Sequence, residues 1–319
     1  MPELEPGLTV LLPCYNEADH LDAAWASIHA ALGAVDGLEV LIVDDGSTDA
    51  TLERIRALAA SDDRVRYLSF TRNFGLEAAQ EAGFRHASKQ WLVQLDADLQ
   101  SPPEEALKLL TVAQDGGYDV VFGIREHRRD PWVRRLGSAG LGLVARAMLD
   151  IRIPRGASVF RVIHTPVART IAAMELGSPY TVASIISVGA RYACVPTSHR
   201  QRSGRSRWRP GRLVGHAFEL FFSYSWRPLN AAYAVAVGAA LSCGLLALLA
   251  LTGALDAGTV AAGALLILAA KILVTAVIGR YLHRSILDAR HGPAYLVRET
   301  NLEIPARFRL DGGLMRLAG

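Results

Sequence analysis

Acidic residues stand at three places in the first hundred residues where an apolar run stops. Leu8–Pro13 gives way to Cys14-Tyr15-Asn16-Glu17, Leu38–Val43 to Asp44-Asp45-Gly46-Ser47-Thr48-Asp49, and Trp91–Leu95 to Asp96-Ala97-Asp98-Leu99-Gln100. Alternate residues of an extended segment project to one side, so Asp96, Asp98 and Gln100 can share a cation. Oxygen ligands of this kind suit Mg²⁺ or Mn²⁺ rather than zinc. Such an ion, bridging a diphosphate, neutralises the charge that builds as the diphosphate leaves. Each signal is weak alone. A D-x-D arises by chance about once in a chain of this size, and Asp-Asp-Gly-Ser also makes an ordinary turn. At 96–100 the metal reading is favoured, because two carboxylates two residues apart repel each other unless a cation or solvent compensates.

These groups need a scaffold that brings strand ends together. Five apolar runs read as strands, at Leu8–Pro13, Leu38–Val43, Arg64–Phe70, Trp91–Leu95 and Asp119–Gly123. Helix-like segments alternate with them, at Glu17–Leu32, Thr51–Ala60 and Leu76–His86, with a fourth opened by Ser101-Pro-Pro-Glu104 as a capping box and running to about Gln114. Fully apolar strands separated by helices predict an α/β fold with a mostly parallel sheet covered on both faces. Ligands of such sheets bind beyond the carboxyl ends of the strands. The chain has no G-x-x-x-x-G-K-[ST] and no G-x-G-x-x-G, which disfavours a P-loop or dinucleotide fold.

The remainder of the chain differs in composition. Over 319 residues, 51% are hydrophobic and 20% charged, with a net charge of +3. That excludes a disordered chain. Three cysteines without a C-x-x-C pair exclude a disulfide scaffold and disfavour zinc. The mean hydropathy of +0.21 averages two unlike parts. Pro228–Leu255 carries no charged residue and Ala257–Gly279 carries one, Lys271. Each is long enough to cross a bilayer, which takes about 20 apolar residues. The joint holds Gly253, Asp256 and Gly258 and reads as a tight turn. Six arginines lie in His199–Arg212, and Arg280, Arg284, Arg290 and Arg298 follow the second span. The positive-inside rule therefore places both ends of the hairpin, and the N-terminal part with them, on the cytoplasmic side of the membrane as a multi-pass protein. No secretory signal is read at the N-terminus. Lys271 is equally a functional group at mid-span, or a lysine that faces a subunit interface or snorkels along its stem. Val214, Ala217, Phe218, Phe221 and Phe222, bounded by Trp208 and Trp226, predict an interfacial amphipathic helix.

Taken together, P-C-Y-N-E (13–17), V-D-D-G-S-T-D (43–49), R-N-F-G (72–75) and D-A-D-L-Q-S-P-P-E (96–104) resemble the inverting GT-A glycosyltransferases of family 2. More narrowly they resemble the polyprenyl-phosphate glycosyltransferases, such as dolichol-phosphate mannose synthase and bacterial enzymes acting on undecaprenyl phosphate. The likeness continues through Gly123–Arg125, Ile153-Pro154, Arg202-Ser-Gly-Arg-Ser-Arg207, Gly279–Arg284 and Arg290–Glu299, nearly the whole chain. It departs at Gly156-Ala-Ser-Val-Phe-Arg161, where many members have G-D-F-R, and at Ser101, which replaces an Asp or His.

The resemblance implies a GT-A domain over 1–210, the interfacial helix over 211–227, two transmembrane helices over 228–282 and a cytoplasmic tail over 283–319. It implies a nucleotide-sugar donor, with a UDP-sugar the commoner choice, and a polyprenyl phosphate acceptor in the lipid bilayer. Pro13, Tyr15, Glu17, Asp44, Asp45, Asp96 and Ala97 would line the donor nucleotide pocket, with Asp45 on the base or ribose and Asp44 able to serve mainly in fixing the loop. Asp96, Asp98 and Gln100 would hold Mg²⁺ or Mn²⁺, and Asp98 and Arg125 would be catalytic. Arg125, Arg134, Ser138, Arg202, Arg205 and Arg207 would receive the acceptor phosphate, although an arginine-rich composition with three lysines in all also accounts for Arg207. No nucleic-acid partner is expected, and small residues in the spans permit a homo-oligomer. Another lipid acceptor, or a catalytically silent scaffold of the same fold, are the alternatives.

Overall fold

The computed structural model describes residues 4–125, 154, 156–174, 180–198, 222–289 and 293–310. The chain divides into two compact units, one of Met1–Arg129, Ile153–Ser206 and Gly292–Gly319, the other of Asp130–Arg152 and Arg207–His291.

The first unit opens with β1 (Glu5–Cys14), α1 (Ala18–Leu32), β2 (Leu38–Asp44), α2 (Thr51–Ser61), β3 (Val65–Phe70), α3 (Leu76–His86), β4 (Lys89–Gln94), α4 (Glu105–Gly116) and β5 (Val120–Arg125). This is the order the apolar runs predict. It continues with β6 (Ala157–His164), α5 (Thr165–Ala173), α6 (Thr181–Ser187), β7 (Tyr192–Thr197) and, near the C-terminus, β8 (Val297–Thr300). Every residue of β2 is buried, as a strand covered on both faces requires. In α1, Leu21, Ala24, Ile28 and Leu32 fall on one stripe and are all buried, which seats the helix on the sheet.

The eight strands lie in the order β7-β5-β6-β4-β1-β2-β3-β8. β1, β2, β3 and β4 are mutually parallel, β6 runs antiparallel to both β4 and β5, and β7 is parallel to β5. Two reversals restore direction, so β1, β2, β3, β4, β5 and β7 all end at the same edge. Two apolar clusters flank the sheet. One holds Leu21, Ile28, Val93, Leu95, Ala97 and Phe160, and the other holds Leu41, Phe84, Leu92, Phe122 and Ile163.

Two features depart from the sequence reading. The capping box at Ser101–Glu104 does not form. α4 begins at Glu105 with no side-chain cap, and Ser101 is buried instead, because the two prolines make a preceding turn through Glu105 N–H to Pro102 O and Ala106 N–H to Pro103 O. Residues 293–310, expected within a separate tail, belong to the sheet unit: Tyr295 is fully buried and stacks at 4.8 Å on Phe70 and at 4.8 Å on Phe308, and β8 pairs antiparallel with β3. Burying that aromatic trio fixes the segment to the sheet.

The described part of the second unit is chiefly two helices, α7 (Arg227–Leu251) and α8 (Ala257–Ala289). Both are long and apolar enough to cross a membrane. The turn between them is built as the glycine and acid predict. Gly253 takes φ +72, with Gly253 N–H on Ala250 O and Ala254 N–H on Leu249 O, a Schellman closure of α7. Asp256 then caps α8 through Thr259 N–H at 3.0 Å and Thr259 Oγ1 at 2.6 Å. Leu241, Leu251 and Leu266 are 71%, 86% and 74% exposed. Leucines so exposed show that the hairpin is not buried within this chain, and they suit a lipid solvent. Lys271 is exposed at the middle of α8. Near the other end, Tyr281 donates to Ser225 O at 2.7 Å and stacks on Trp226, with Phe222 edge-on, an aromatic group of the kind found at headgroup level. Most of the expected interfacial helix over 211–227 lies outside the described residues.

Candidate active site

The common carboxyl edge of the sheet gathers Tyr15–Glu17 after β1, Asp44–Asp49 from the end of β2, Thr71–Gly75 after β3 and Leu95–Gln100 after β4. Arg125 closes β5 there, its backbone opposite Thr197 of β7. Arg134, Ser138, Arg202, Arg205 and Arg207 lie outside the described residues. The edge therefore brings together the expected donor-side and metal-side groups together with the backbone of Arg125.

The first two loops are stitched to each other. Asn16 N–H donates to Ser47 Oγ at 2.9 Å and Thr48 N–H to Asn16 Oδ1 at 2.8 Å. Glu17 N–H donates to Thr51 Oγ1 at 2.9 Å, and Asp49 accepts from the Thr51 N–H and hydroxyl and from Ala18 N–H. Those bonds pull the Asp49 carboxyl below its usual range against a desolvation that raises it. Tyr15 is left 45% exposed at the rim, where a ring can stack on a ligand. Cys14 is buried, and burial, with Asp44 and Glu17 nearby, raises its thiol pKa, so it is an inert packing group and no nucleophile.

Asp44 and Asp45 are buried and bonded within the protein. Asp44 accepts from Ser69 Oγ at 2.7 Å and from Ser47 N–H at 3.0 Å. Asp45 accepts from Phe74 N–H at 2.6 Å and Gly75 N–H at 2.9 Å. Its two oxygens thus hold the R-N-F-G loop. Burial raises the Asp45 pKa and the two N–H groups oppose that rise. Gly46 makes the crossing of these loops possible: at φ +68 an added Cβ would lie 2.3 Å from the Arg72 carbonyl carbon.

The loop after β4 is arranged otherwise. Leu95 and Ala97 point into the core with Val93, so by alternation Asp96 falls on the opposite side with Gln94. Leu99 N–H closes a turn onto Asp96 O at 3.0 Å, and Leu99 takes φ +49. It and Asn16, at φ +54, are the two non-glycine residues with positive φ among those described, and both sit in edge loops. Backbone strain of this kind collects where a fold must hold functional groups. Asp98 is half-buried and accepts from Gln100 N–H at 3.3 Å and from the Gln100 amide nitrogen at 2.5 Å. Gln100 therefore presents its nitrogen to Asp98.

These residues fit a divalent cation that prefers oxygen. Among the described residues no group of three or more His, Cys, Asp or Glu is placed to hold a metal ion by itself. Two carboxylates and an amide oxygen on one turn are a partial set of hard donors, of the kind Mg²⁺ completes with waters and phosphate oxygens.

Sequence reasoning missed Arg161, which lies in β6 directly opposite Gln94. A lone arginine inside the apolar run Val159-Phe160-Arg161-Val162-Ile163 was the available signal.

Comparison with known proteins bears on the whole of this arrangement. The sequence model described as glycosyl transferase family 2 matches residues 9–166. An undecaprenyl-phosphate 4-deoxy-4-formamido-L-arabinose transferase of Pseudomonas paraeruginosa is 31% identical over 94% of this chain and 91% of its own length. One of the same description from Edwardsiella ictaluri is 30% identical over 91% of this chain and 93% of its own. Among solved structures, the mannosyltransferase PcManGT from Pyrobaculum calidifontis, in complex with GDP-Man and Mn²⁺, is similar with a TM-score of 0.43 and 19% identity, covering 91% of this chain and 89% of that one. The near full-length sequence relationship, together with the mostly parallel sheet and its loaded edge, shows that the chain belongs to glycosyl transferase family 2 and is a glycosyltransferase with the GT-A fold.

Proposed function

We propose that this enzyme moves a sugar from a nucleotide-sugar donor, by preference a UDP-sugar, to polyprenyl phosphate at the cytoplasmic face of a bacterial inner membrane, with inversion at the anomeric carbon. The observation that carries the reading is the single sheet edge on which Asp96 and Asp98 stand two loops from Asp44–Asp49, in a chain that also carries two exposed apolar helices. The full-length relatives named as undecaprenyl-phosphate transferases support the acceptor.

In this reading Tyr15, Glu17 and the loop fixed by Asp44 and Asp45 receive the nucleotide. Asp96, Asp98 and the Gln100 amide hold Mg²⁺ or Mn²⁺, which when bound offsets charge on the departing diphosphate. Arg125, Arg134, Ser138 and the arginines 202, 205 and 207 receive the acceptor phosphate, where the guanidinium fork matches phosphate oxygens. The nucleophile needs no dedicated base. A phosphomonoester has a second pKa of about 6 and is already ionised at neutral pH. One of its oxygens forms the new bond to the anomeric carbon as the bond to the diphosphate breaks, and the nucleoside diphosphate departs with the electron pair. What remains for the protein is positioning and charge stabilisation.

The test offers the purified full-length protein a panel of labelled UDP- and GDP-sugars with undecaprenyl phosphate and Mg²⁺ or Mn²⁺. The expected product is a lipid-linked sugar whose anomeric configuration, read by NMR, is opposite to that of the donor. Absence of glycolipid from every donor overturns the reading.

A further inference from the structure

Arg161 is the bulkiest of the fully buried side chains among the described residues, at 1% exposure. Its surroundings are unusual for a cation. Its Nη2 donates to Gln94 Oε1 at 2.7 Å, and its guanidinium carbon lies 5.6 Å from the centre of the Phe84 ring. No carboxylate is bonded to it among the described residues. Burial draws its pKa down to about 10, opposed by the fields of Tyr180 and Asp96. Tyr180, whose own pKa burial raises, is neutral at pH 7, so Asp96 is the anion left to balance it. The geometry agrees. Arg161 pairs in register with Gln94, the last residue of β4, and Asp96 follows two residues on, on Gln94's side of the strand.

We infer that Arg161 is a positioning residue: a buried counter-cation that orients Asp96 from beneath and offsets the negative charge of the Asp96–Asp98 loop, so that an anionic diphosphate can be held there. The inference rests on the reading of that loop as the metal and diphosphate site. Two carboxylates are balanced by one divalent ion, and a diphosphate then adds negative charge in a partly desolvated place. A fixed cation behind the loop lowers that repulsion without occupying a coordination position. It also sets Asp96, which lies on the Arg161 side of the strand, apart from Asp98.

Two measurements on the full-length protein in detergent test this. In a thermal-melting cycle without metal or nucleotide, Asp96→Asn and Arg161→Met are each expected to lower the midpoint by about 5–10 °C, because each strands the other's charge. The double variant should recover most of that loss, and Asp98→Asn should show no such coupling with Arg161→Met. In binding experiments followed by calorimetry, with Mn²⁺ alone and then with UDP or GDP in the presence of Mn²⁺, Arg161→Gln should weaken nucleoside diphosphate by about tenfold, which corresponds to about 1.4 kcal/mol. It should leave Mn²⁺ alone bound at least as tightly, and Arg161→Lys should restore most of the nucleotide affinity. Additive melting shifts for Asp96 and Arg161, coupling to Asp98 as strong as to Asp96, or equal weakening of metal and nucleotide overturns the inference. If the wild-type protein binds neither UDP nor GDP with Mn²⁺, the metal-site reading fails, and the melting cycle alone then decides whether Arg161 and Asp96 are paired.

Discussion

Asp44 and Asp45, at the end of β2, take hydrogen bonds from Ser69, Ser47, Phe74 and Gly75 and are 1% and 4% exposed. Asp96 and Asp98, after β4, are half-buried, and the bonds to Asp98 come from Gln100 two residues along. In sequence both pairs are acids that follow an apolar strand onto the same edge. The difference lies in what surrounds them. The β2 pair ties neighbouring loops to each other, whereas the β4 pair stands beside a residue at positive φ, Leu99, and is the pair proposed to hold the cation. An acid at a strand end is thus a prompt to ask where its oxygens point.

Substitutions can break this contrast. The largest effect on activity is expected from Asp98→Asn, which should lower sugar transfer by about a hundred- to a thousandfold, measured as initial rate, with the melting temperature unchanged. A melting shift as large as that of an Asp44 variant would erase the distinction. Asp44→Ala should act on the fold, costing about 2–4 kcal/mol in denaturant titration, because it leaves the Ser69 hydroxyl and Ser47 N–H without their buried acceptor. Asp44→Asn keeps an acceptor and should cost about 1 kcal/mol. Asp45→Asn should fall between the two classes. An amide offers a single acceptor oxygen where the carboxylate serves two N–H groups, so the loop loosens, and the donor Michaelis constant should rise by about tenfold with little change in turnover.

The smallest effect concerns a region remote from both acid pairs. His86 lies 3.2 Å from the Tyr295 hydroxyl, and burial, with Arg85 and Arg169 nearby, lowers its pKa to about 4. The folded form therefore binds the proton less readily than the unfolded chain, whose histidine titrates near 6.5. The neutral-histidine contribution is fully present above pH 6.5 and is lost as pH falls from there towards 4. A melting profile should slope down by a few degrees across that window in the wild type, and His86→Gln should flatten it. An unchanged slope in the variant would assign the pH dependence to other groups.

How much of this was readable from the sequence follows from physical pattern. The runs that became β1, β2, β3 and β4 are short and almost wholly apolar because they are covered on both faces, and that made them legible. β6 was not, since Arg161 interrupts its pattern and its partner strands are remote in sequence. β8 is four residues long and follows the apolar helices, so its place beside β3 depends on Tyr295 stacking between Phe70 and Phe308, a contact across more than two hundred positions. The acid positions were legible too, but not the bonds they make within the fold. That Asp45 holds the loop at Phe74 and Gly75 is set by where β3 ends, which no local spacing encodes.

The return of the chain to pair β8 with β3 has a consequence for how the protein is inserted. One cooperative sheet is completed by segments from both sides of the α7–α8 hairpin, so residues before Arg227 and after Ala289 must fold in the same compartment. Parity follows: between β7 and β8 a chain folded in this way can cross a bilayer only an even number of times. Truncation after α8 would take away the segment that covers β3 and leave that strand's hydrogen-bonding groups open to other chains.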